Sequence, residues 1–327
     1  SIIFATNAGG VWDAQLINTT GYCESSHVAV EEGDIVHVLY TQSGFYDDDR
    51  VNSTLVDMVW TPEGWDSTVL RTIEGSDKSI WVADVDSRPD GSIGILYTVY
   101  DGTGEDPCLN YSIYSDGEMV DSTVDPSYAD YRGLMALCHD SSGNAYISAH
   151  RTVDGSYPVC YFTNSGGDWT RTDIAYGGNW MPGRTDISVG SDGSVYVGYF
   201  VAYHDDGSHN HTVRYSTDAD GVWKTHVIDD CPGWAGDESI AILPDNERNV
   251  HIVYFQRLEG TEYGDMSTNV YITSELEDDR YVSRAITSIV NAAWAGFVTT
   301  LILLVIWRAQ TMKRKETERE EHTDSYE

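Results

Sequence analysis

Residues 216–223 read STDADGVW. A glycine two places before a large apolar residue, behind a polar run, marks a hairpin turn that needs positive φ, with the aromatic packed beneath it. Three further segments share this layout: ATNAGGVW (5–12), FTNSGGDW (162–169) and SIYSDGEM (112–119), where Met119 stands in for Trp. One copy is a turn. Four in register are a repeat.

A second series runs between them. AVEEGDIVHVLY (29–40), VDSRPDGSIGILY (85–97), ALCHDSSGNAYISAH (136–150), ISVGSDGSVYVGYF (187–200) and AILPDNERNVHIVYF (241–255) each read as apolar strand, polar turn, alternating strand. Their second strands end near Tyr40, Tyr97, His150, Tyr199 and Tyr254. Short alternating runs bounded by Gly and Asp are the strand-and-hairpin signal, and four antiparallel strands in roughly 50 residues make one β-propeller blade. The spacing predicts an all-β layout of five full blades over 27–72, 80–124, 132–176, 184–229 and 237–286, with strands A to D in each. Residues 1–18 supply only a C–D pair, so the expected ring is six-bladed with the start of one blade lying before residue 1. A β-sandwich is the competing architecture, and the register of the repeats disfavours it.

The C–D segments resemble the Asp box, S-x-D-x-G-x-x-W, of the sialidase-like (BNR-repeat) propellers. In 216–223, Ser216, Asp218 and Trp223 match, while Asp220 replaces the family glycine and Gly221 follows one place later. In the copies ending at Trp12 and Trp169, Asn7 and Asn164 replace Asp. The resemblance implies a propeller fold over about 280 residues at the level of blade pattern. It implies little about activity, because the boxes of that family lie on the face away from the active site.

The formal net charge is −34, from 53 acidic and 19 basic residues, and Lys78 and Lys224 are the sole lysines before residue 285. Such an excess repels nucleic acid and anionic lipid, which both need basic patches. It suits a protein made for concentrated salt, a halophilic or marine prokaryotic source. Five cysteines in a chain of this length are not a disulfide framework. Cys138 and Cys160 fall on strands A and C of one blade, two strand spacings apart and too far to bond.

From Ala285 to Trp307 no charged residue interrupts the chain, and Arg308, Lys313, Arg314 and Lys315 follow. That run is long enough to cross a bilayer, and the basic flank places the tail inside. The expected organisation is a propeller ectodomain (1–284), a transmembrane helix (285–307) and a short charged cytoplasmic tail (308–327). Sequons at Asn18, Asn52, Asn110 and Asn210 fit a glycosylated exterior.

Strand D of the last blade leads straight into the span, so the anchor leaves from the face formed by the D–A and B–C loops. On that face the candidate ligand residues are Trp81, Tyr131 with Arg132, Trp180 with Arg184, and Trp234 with Asp237 and Glu238. Aromatic rings beside charged groups suit carbohydrate, stacking on sugar faces while polar groups fix hydroxyls or carboxylates. The resemblance implies an arginine triad and a Tyr–Glu pair with an Asp acid for sialidase activity; Arg132 and Arg184 supply two arginines, and no third can be placed. The B–C loops are acidic. Asp47, Asp48 and Asp49 offer oxygens to Ca²⁺ without EF-hand spacing, and His204, His209 and His211 offer imidazoles to a transition metal. No other cofactor is implied. The expected function is a surface recognition or scaffold module binding glycan or an envelope protein. The alternative is a membrane-tethered glycoside hydrolase or lyase acting on acidic sugars.

Overall fold

The computed structural model describes residues 2–284 except 8–10, 19–21, 32–34, 47–48, 62–63, 101–106, 127–133, 155, 177, 179–182, 206–207, 233–239, 259–265 and 275–280. Among the described residues every regular element is a strand. β1 (Ile2–Thr6) and β2 (Asp13–Asn18) form a two-stranded sheet. The first four-stranded sheet comprises β3 (Tyr22–Val30), β4 (Val36–Tyr46), β5 (Asp49–Thr61) and β6 (Gly64–Glu74). The second holds β7 (Ser79–Ser87), β8 (Ile93–Tyr100), β9 (Cys108–Ser115) and β10 (Glu118–Asp125). β11 (Ala136–His139), β12 (Ala145–His150), β13 (Val159–Thr163) and β14 (Thr170–Ala175) make the third. The fourth contains β15 (Thr185–Val189), β16 (Val195–Asp205), β17 (Ser208–Thr217) and β18 (Lys224–Pro232). β19 (Ile240–Pro244), β20 (Val250–Leu258), β21 (Met266–Ser274) and β22 (Tyr281–Arg284) make the fifth.

Spatial order equals chain order in every sheet, and all pairs are antiparallel. The first strands β3, β7, β11, β15 and β19 neighbour one another in succession. They are therefore the inner strands, and the sheets radiate from them as propeller blades. Burial follows the radius. β12 is buried at every position, whereas β14 is mostly exposed. Second strands are covered on both faces by flanking blades, so they read as continuous apolar runs and not as clean alternation.

The core consequently lies between blades. Leu39, Leu55, Ile80 and Ile95 join the first and second sheets, and Leu96, Ile147 and Phe162 join the second and third. Tyr146, Val197 and Tyr199 continue the seam, as do Phe200, Ile242 and Tyr254 beyond them. Ile2 packs with Val38 and Val56, which seats the two-stranded sheet against the first blade. Where the second and third blades press together at Gly94, a side chain is excluded: a Cβ there would stand 2.3 Å from His139 Cε1.

Two turn types repeat with the blades. The A–B turns at 88–92, 140–144, 190–194 and 245–249 share one hydrogen-bond pattern; in the second of these Asp140 N–H bonds Asn144 O (3.1 Å) and Gly143 N–H bonds Asp140 O (3.0 Å). Their fourth residue has positive φ, which glycine supplies at 91, 143 and 193, while Arg248 adopts it at 66°. An L-residue there is strained by about 1–2 kcal/mol, and Arg248 also pairs with Asp192 on the preceding blade's turn at 2.6 Å.

The C–D turns follow the opening repeat. Asn164 Oδ1 accepts from Ala145 N–H, and Asp218 Oδ1 accepts from Val195 N–H, both at 2.8 Å. Each bond ties the turn to strand B of its own blade and needs only an acceptor oxygen, which explains the exchange of Asn for Asp. The aromatic does not tuck beneath its own turn as expected. Trp169 packs on Tyr111 of the preceding blade at 5.4 Å and donates from Nε1 to Ser122 Oγ, and Trp223 packs on Tyr161 at 5.3 Å. Trp65 does the same against Phe4; with glycine immediately before it, Trp65 escaped the sequence pattern. Cys138 and Cys160 lie on β11 and β13 as free thiols, separated by β12 as expected. No helix among the described residues is long and apolar enough to cross a membrane, and the run 285–307 and the tail lie outside them.

Candidate functional site

The inner strands carry ionisable groups where a purely architectural strand would carry aliphatics. Inner strands of adjacent blades do not pair as a sheet, so their backbone N–H groups need other acceptors. Asp84 Oδ2 accepts from Leu137 N–H (2.8 Å) and Asp186 Oδ2 accepts from Ile242 N–H (2.7 Å), each from four residues before an A–B turn. His27 occupies the matching place in the first blade, with Nδ1 3.4 Å from Asp84 Oδ1. Asp86 adds a similar latch, accepting from His139 N–H and facing His139 Nδ1, both at 2.9 Å.

Asp186 is the electrostatic outlier of this wall. Burial pushes its carboxyl up to about 7, and the Asp84 charge adds to the rise. The backbone N–H groups of Ile242 and Ile187 and the Arg184 guanidinium offset part of it. A carboxyl that exchanges its proton near neutrality two residues from an arginine combines a donor, an acceptor and a fixed cation. Cys138 nearby is held as a neutral thiol by burial and by Asp86, Asp186, Asp84 and Asp140, which removes it as a nucleophile.

Of the expected ligand residues, Arg184 lies half-buried immediately before β15, beside Asp186. Trp81 sits within β7 opposite Thr98, half-buried, and not in the loop before it. Tyr131, Arg132, Trp180, Trp234, Asp237 and Glu238 fall outside the described residues, as do Asp47 and Asp48. Asp49 opens β5 opposite Tyr46, and His204, His209 and His211 lie on β16 and β17. Among the described residues no group of three His, Cys, Asp or Glu side chains is placed to hold a metal ion. The sequon asparagines all lie on strands. Asn52 Oδ1 accepts from Gly44 N–H, Asn110 Nδ2 donates to Cys108 O, Asn18 ends β2 and Asn210 lies in β17.

A second cluster was read in sequence only as architecture. His37 and His251 hold matching second-strand positions, and each meets a third-strand partner: His37 Nδ1 lies 3.0 Å from Asp57 Oδ2, and His251 Nδ1 lies 2.7 Å from Tyr271 Oη. His37 also places Nε2 3.3 Å from Glu31 Oε1, at the wall of a cleft of about 290 Å³ between the first two blades. The Asp57 partner, 20 residues away, carries no local signal that would have announced the pairing.

No family model matches the sequence, and no curated protein does. Solved structures do match. A polysaccharide lyase, the ulvan lyase of family PL25, superposes with a TM-score of 0.53 at 10% identity, over 81% of this chain and 69% of that one. The α-L-arabinofuranosidase Arb93A from Fusarium graminearum gives 0.49 at 10% identity, over 81% of each chain. TolB from Acinetobacter baumannii gives 0.48 at 13% identity, over 80% of this chain, which spans 54% of TolB. At such identities the likeness to the lyase concerns the fold, which is the β-propeller built above.

Proposed function

We propose that the chain is a membrane-tethered extracellular propeller that binds an acidic or densely hydroxylated polysaccharide at the D–A/B–C loop face. The observation that carries this reading is the Arg184–Asp186 pair at the entry of β15. An arginine fixes a sugar carboxylate through paired donors, and a carboxyl poised near neutrality both accepts from and donates to hydroxyls. Trp81 on β7 contributes a ring of the kind that stacks on sugar faces. The fold shared with a polysaccharide lyase supports carbohydrate as the ligand class. Asn164 and Asp218, bonding strand B from the C–D turn, support placement among the Asp-box propellers.

The tether is the apolar run 285–307, with the basic flank on the cytoplasmic side. The charge of −34 favours a salt-rich exterior and excludes nucleic acid as partner. Glycosylation at Asn18, Asn52, Asn110 and Asn210 belongs to the same extracellular reading. One observation favours a catalytic version, a glycoside hydrolase or lyase: the raised Asp186 carboxyl beside Asp84 has the separated roles of an acid and a charged partner.

The test is binding of the full chain, in detergent and concentrated salt, to neutral and acidic glycans, with product analysis of each. Binding without turnover, weakened by Arg184→Ala and Trp81→Ala, is the expected result. Cleavage that disappears in Asp186→Asn moves the assignment to the catalytic version. Absence of binding to every glycan overturns the carbohydrate reading.

A further inference from the structure

The cleft between the first two blades lies away from the D–A and B–C loops. Glu31, Ile35, His37 and Val59 of the first blade wall it, with Tyr114 and Asp116 of the second. Glu31 and Ile35 flank the A–B turn of one blade and Asp116 sits in the C–D turn of the next, so the cleft opens at the opposite strand ends. Its inner wall is polar by register. His37 stands opposite Val59 in the β4–β5 ladder, and Asp57 is two residues from Val59 along β5. Residues two apart on a strand share a face, which brings the Asp57 carboxylate to the imidazole.

Asp57 is fully buried and accepts at Oδ2 from His37 Nδ1, 3.0 Å away. A carboxylate only accepts, so Nδ1 carries the proton of that bond, and in the neutral ring Nε2 is left as an acceptor. His37 is 6% exposed, and its Nε2 has no hydrogen-bond partner among the described residues. The atom beside it is a second acceptor, Glu31 Oε1, at 3.3 Å and out of line for a hydrogen bond. Two acceptors this close at the wall of a cleft are costly alone and are satisfied together by one donor between them.

The charge of the cleft selects that donor. Glu31 and Asp116 line it, Asp57 stands behind His37, and no lysine or arginine is among the described lining residues. Burial, then the charges of Asp57 and Glu31, push the Tyr114 phenol up, so a neutral aromatic ring sits in a negative field. Such a ring attracts a cation. Ile35 and Val59 add apolar wall, which suits a methylene stem better than a bare ion. Among the described residues no three His, Cys, Asp or Glu side chains are placed to hold a metal. An ammonium group needs no such set, because it brings its own three N–H donors.

We propose that this cleft binds a primary alkylammonium group, with its N–H donors bridging His37 Nε2 and Glu31 Oε1 and its stem against Ile35 and Val59. A free alkylamine and an exposed lysine side chain share this chemistry. The site is independent of what the D–A and B–C loops bind.

The probes are n-butylammonium and Nα-acetyl-lysine amide, each titrated into the full chain in detergent and followed by saturation-transfer NMR. Sodium chloride at about 1 M shortens the Debye length to about 3 Å and suppresses diffuse attraction to the acidic surface. Millimolar binding is expected for so small a ligand. Tetramethylammonium, charged but without N–H, and n-butanol, with a donor but no charge, should each bind at least ~10-fold more weakly. Glu31→Gln should weaken butylammonium by ~10-fold or more, the loss of a charge-assisted hydrogen bond. Asp116→Asn, at a positive φ that Asn tolerates, should weaken it by about 2–5-fold, the worth of an exposed ion pair. Asp220→Asn removes the same charge from an exposed turn of the fourth blade and should change nothing. Circular dichroism separates a lost contact from a lost fold. A preference for either probe supports the site and identifies its source, free amine or lysine side chain. No saturation transfer to either probe overturns the proposal. So does equal binding of tetramethylammonium, or undiminished binding in a folded Glu31→Gln chain.

Discussion

Asp186→Asn isolates the inner-wall carboxyl. The substitution keeps an oxygen to accept from Ile242 N–H, now bonded at 2.7 Å, and removes the charge. The carboxyl stands at about 7 in the folded chain, against an ordinary value of 3.8. One unit is worth 1.36 kcal/mol, so the ceiling is about 4 kcal/mol. Relaxation and water entry raise the effective dielectric around buried charges, which brings the expected effect to about 2 kcal/mol. Between roughly pH 4 and 7 the folded chain holds a proton that the unfolded chain has released. Stability therefore falls as pH rises through that window and levels off above it. The variant lacks this fall. Urea unfolding of the full chain, followed by tryptophan fluorescence from pH 4 to 8, should give closely similar stabilities at pH 4. At pH 8 the variant should be more stable by about 2 kcal/mol. Every other titrating group is common to both proteins and cancels in the difference. Parallel pH curves, or a variant less stable at pH 8, would refute the reasoning.

Gly94→Ala should cost about 1–3 kcal/mol in urea unfolding, because His139, held by Asp86 and Tyr111, blocks the new methyl. Asn164→Ala should lose about 1–2 kcal/mol by stranding Ala145 N–H, whereas Asn164→Asp and Asp218→Asn should stay within ~0.5 kcal/mol; an equal loss in all three would contradict the acceptor-oxygen account. Burial brings His150 down to about 3, while an unfolded imidazole titrates near 6.5. Stability should accordingly drop as pH falls from about 6.5 towards 3, and His150→Phe should remove that component, measured as the difference between the two acid-unfolding curves.

The strand series was legible because its signals are local. The A–B turns announce themselves as PDG, SSG and SDG, and the hydrogen-bond pattern is the same in each. Even the exception, NER with Arg248 at positive φ, sat inside an alternating frame strong enough to place it. Trp65 escapes the pattern because its glycine, Gly64, stands one place before it and not two. The destination of the tryptophans was misjudged for a deeper reason. A residue that ends a hairpin can pack on its own blade or on the previous one, and that choice depends on how blades stagger.

The candidate site divides along the same line. Arg184 and the aromatic residues stood out in sequence by type and position. Asp84 and Asp186 did not, since an isolated Asp four residues before a turn looks like any polar inner-strand residue until the next blade's N–H is placed against it.

By itself the sequence determined the all-β class, the strand order within each blade and the places where the chain turns, because these follow from alternation over a few residues and from backbone angles that few residue types adopt. The tertiary structure alone decided which distant groups meet: Asp57 with His37, Asp186 with Ile242. Such meetings are set by ladder register and by the packing of one blade on the next, and a shift of one residue would send each of those side chains to the opposite face.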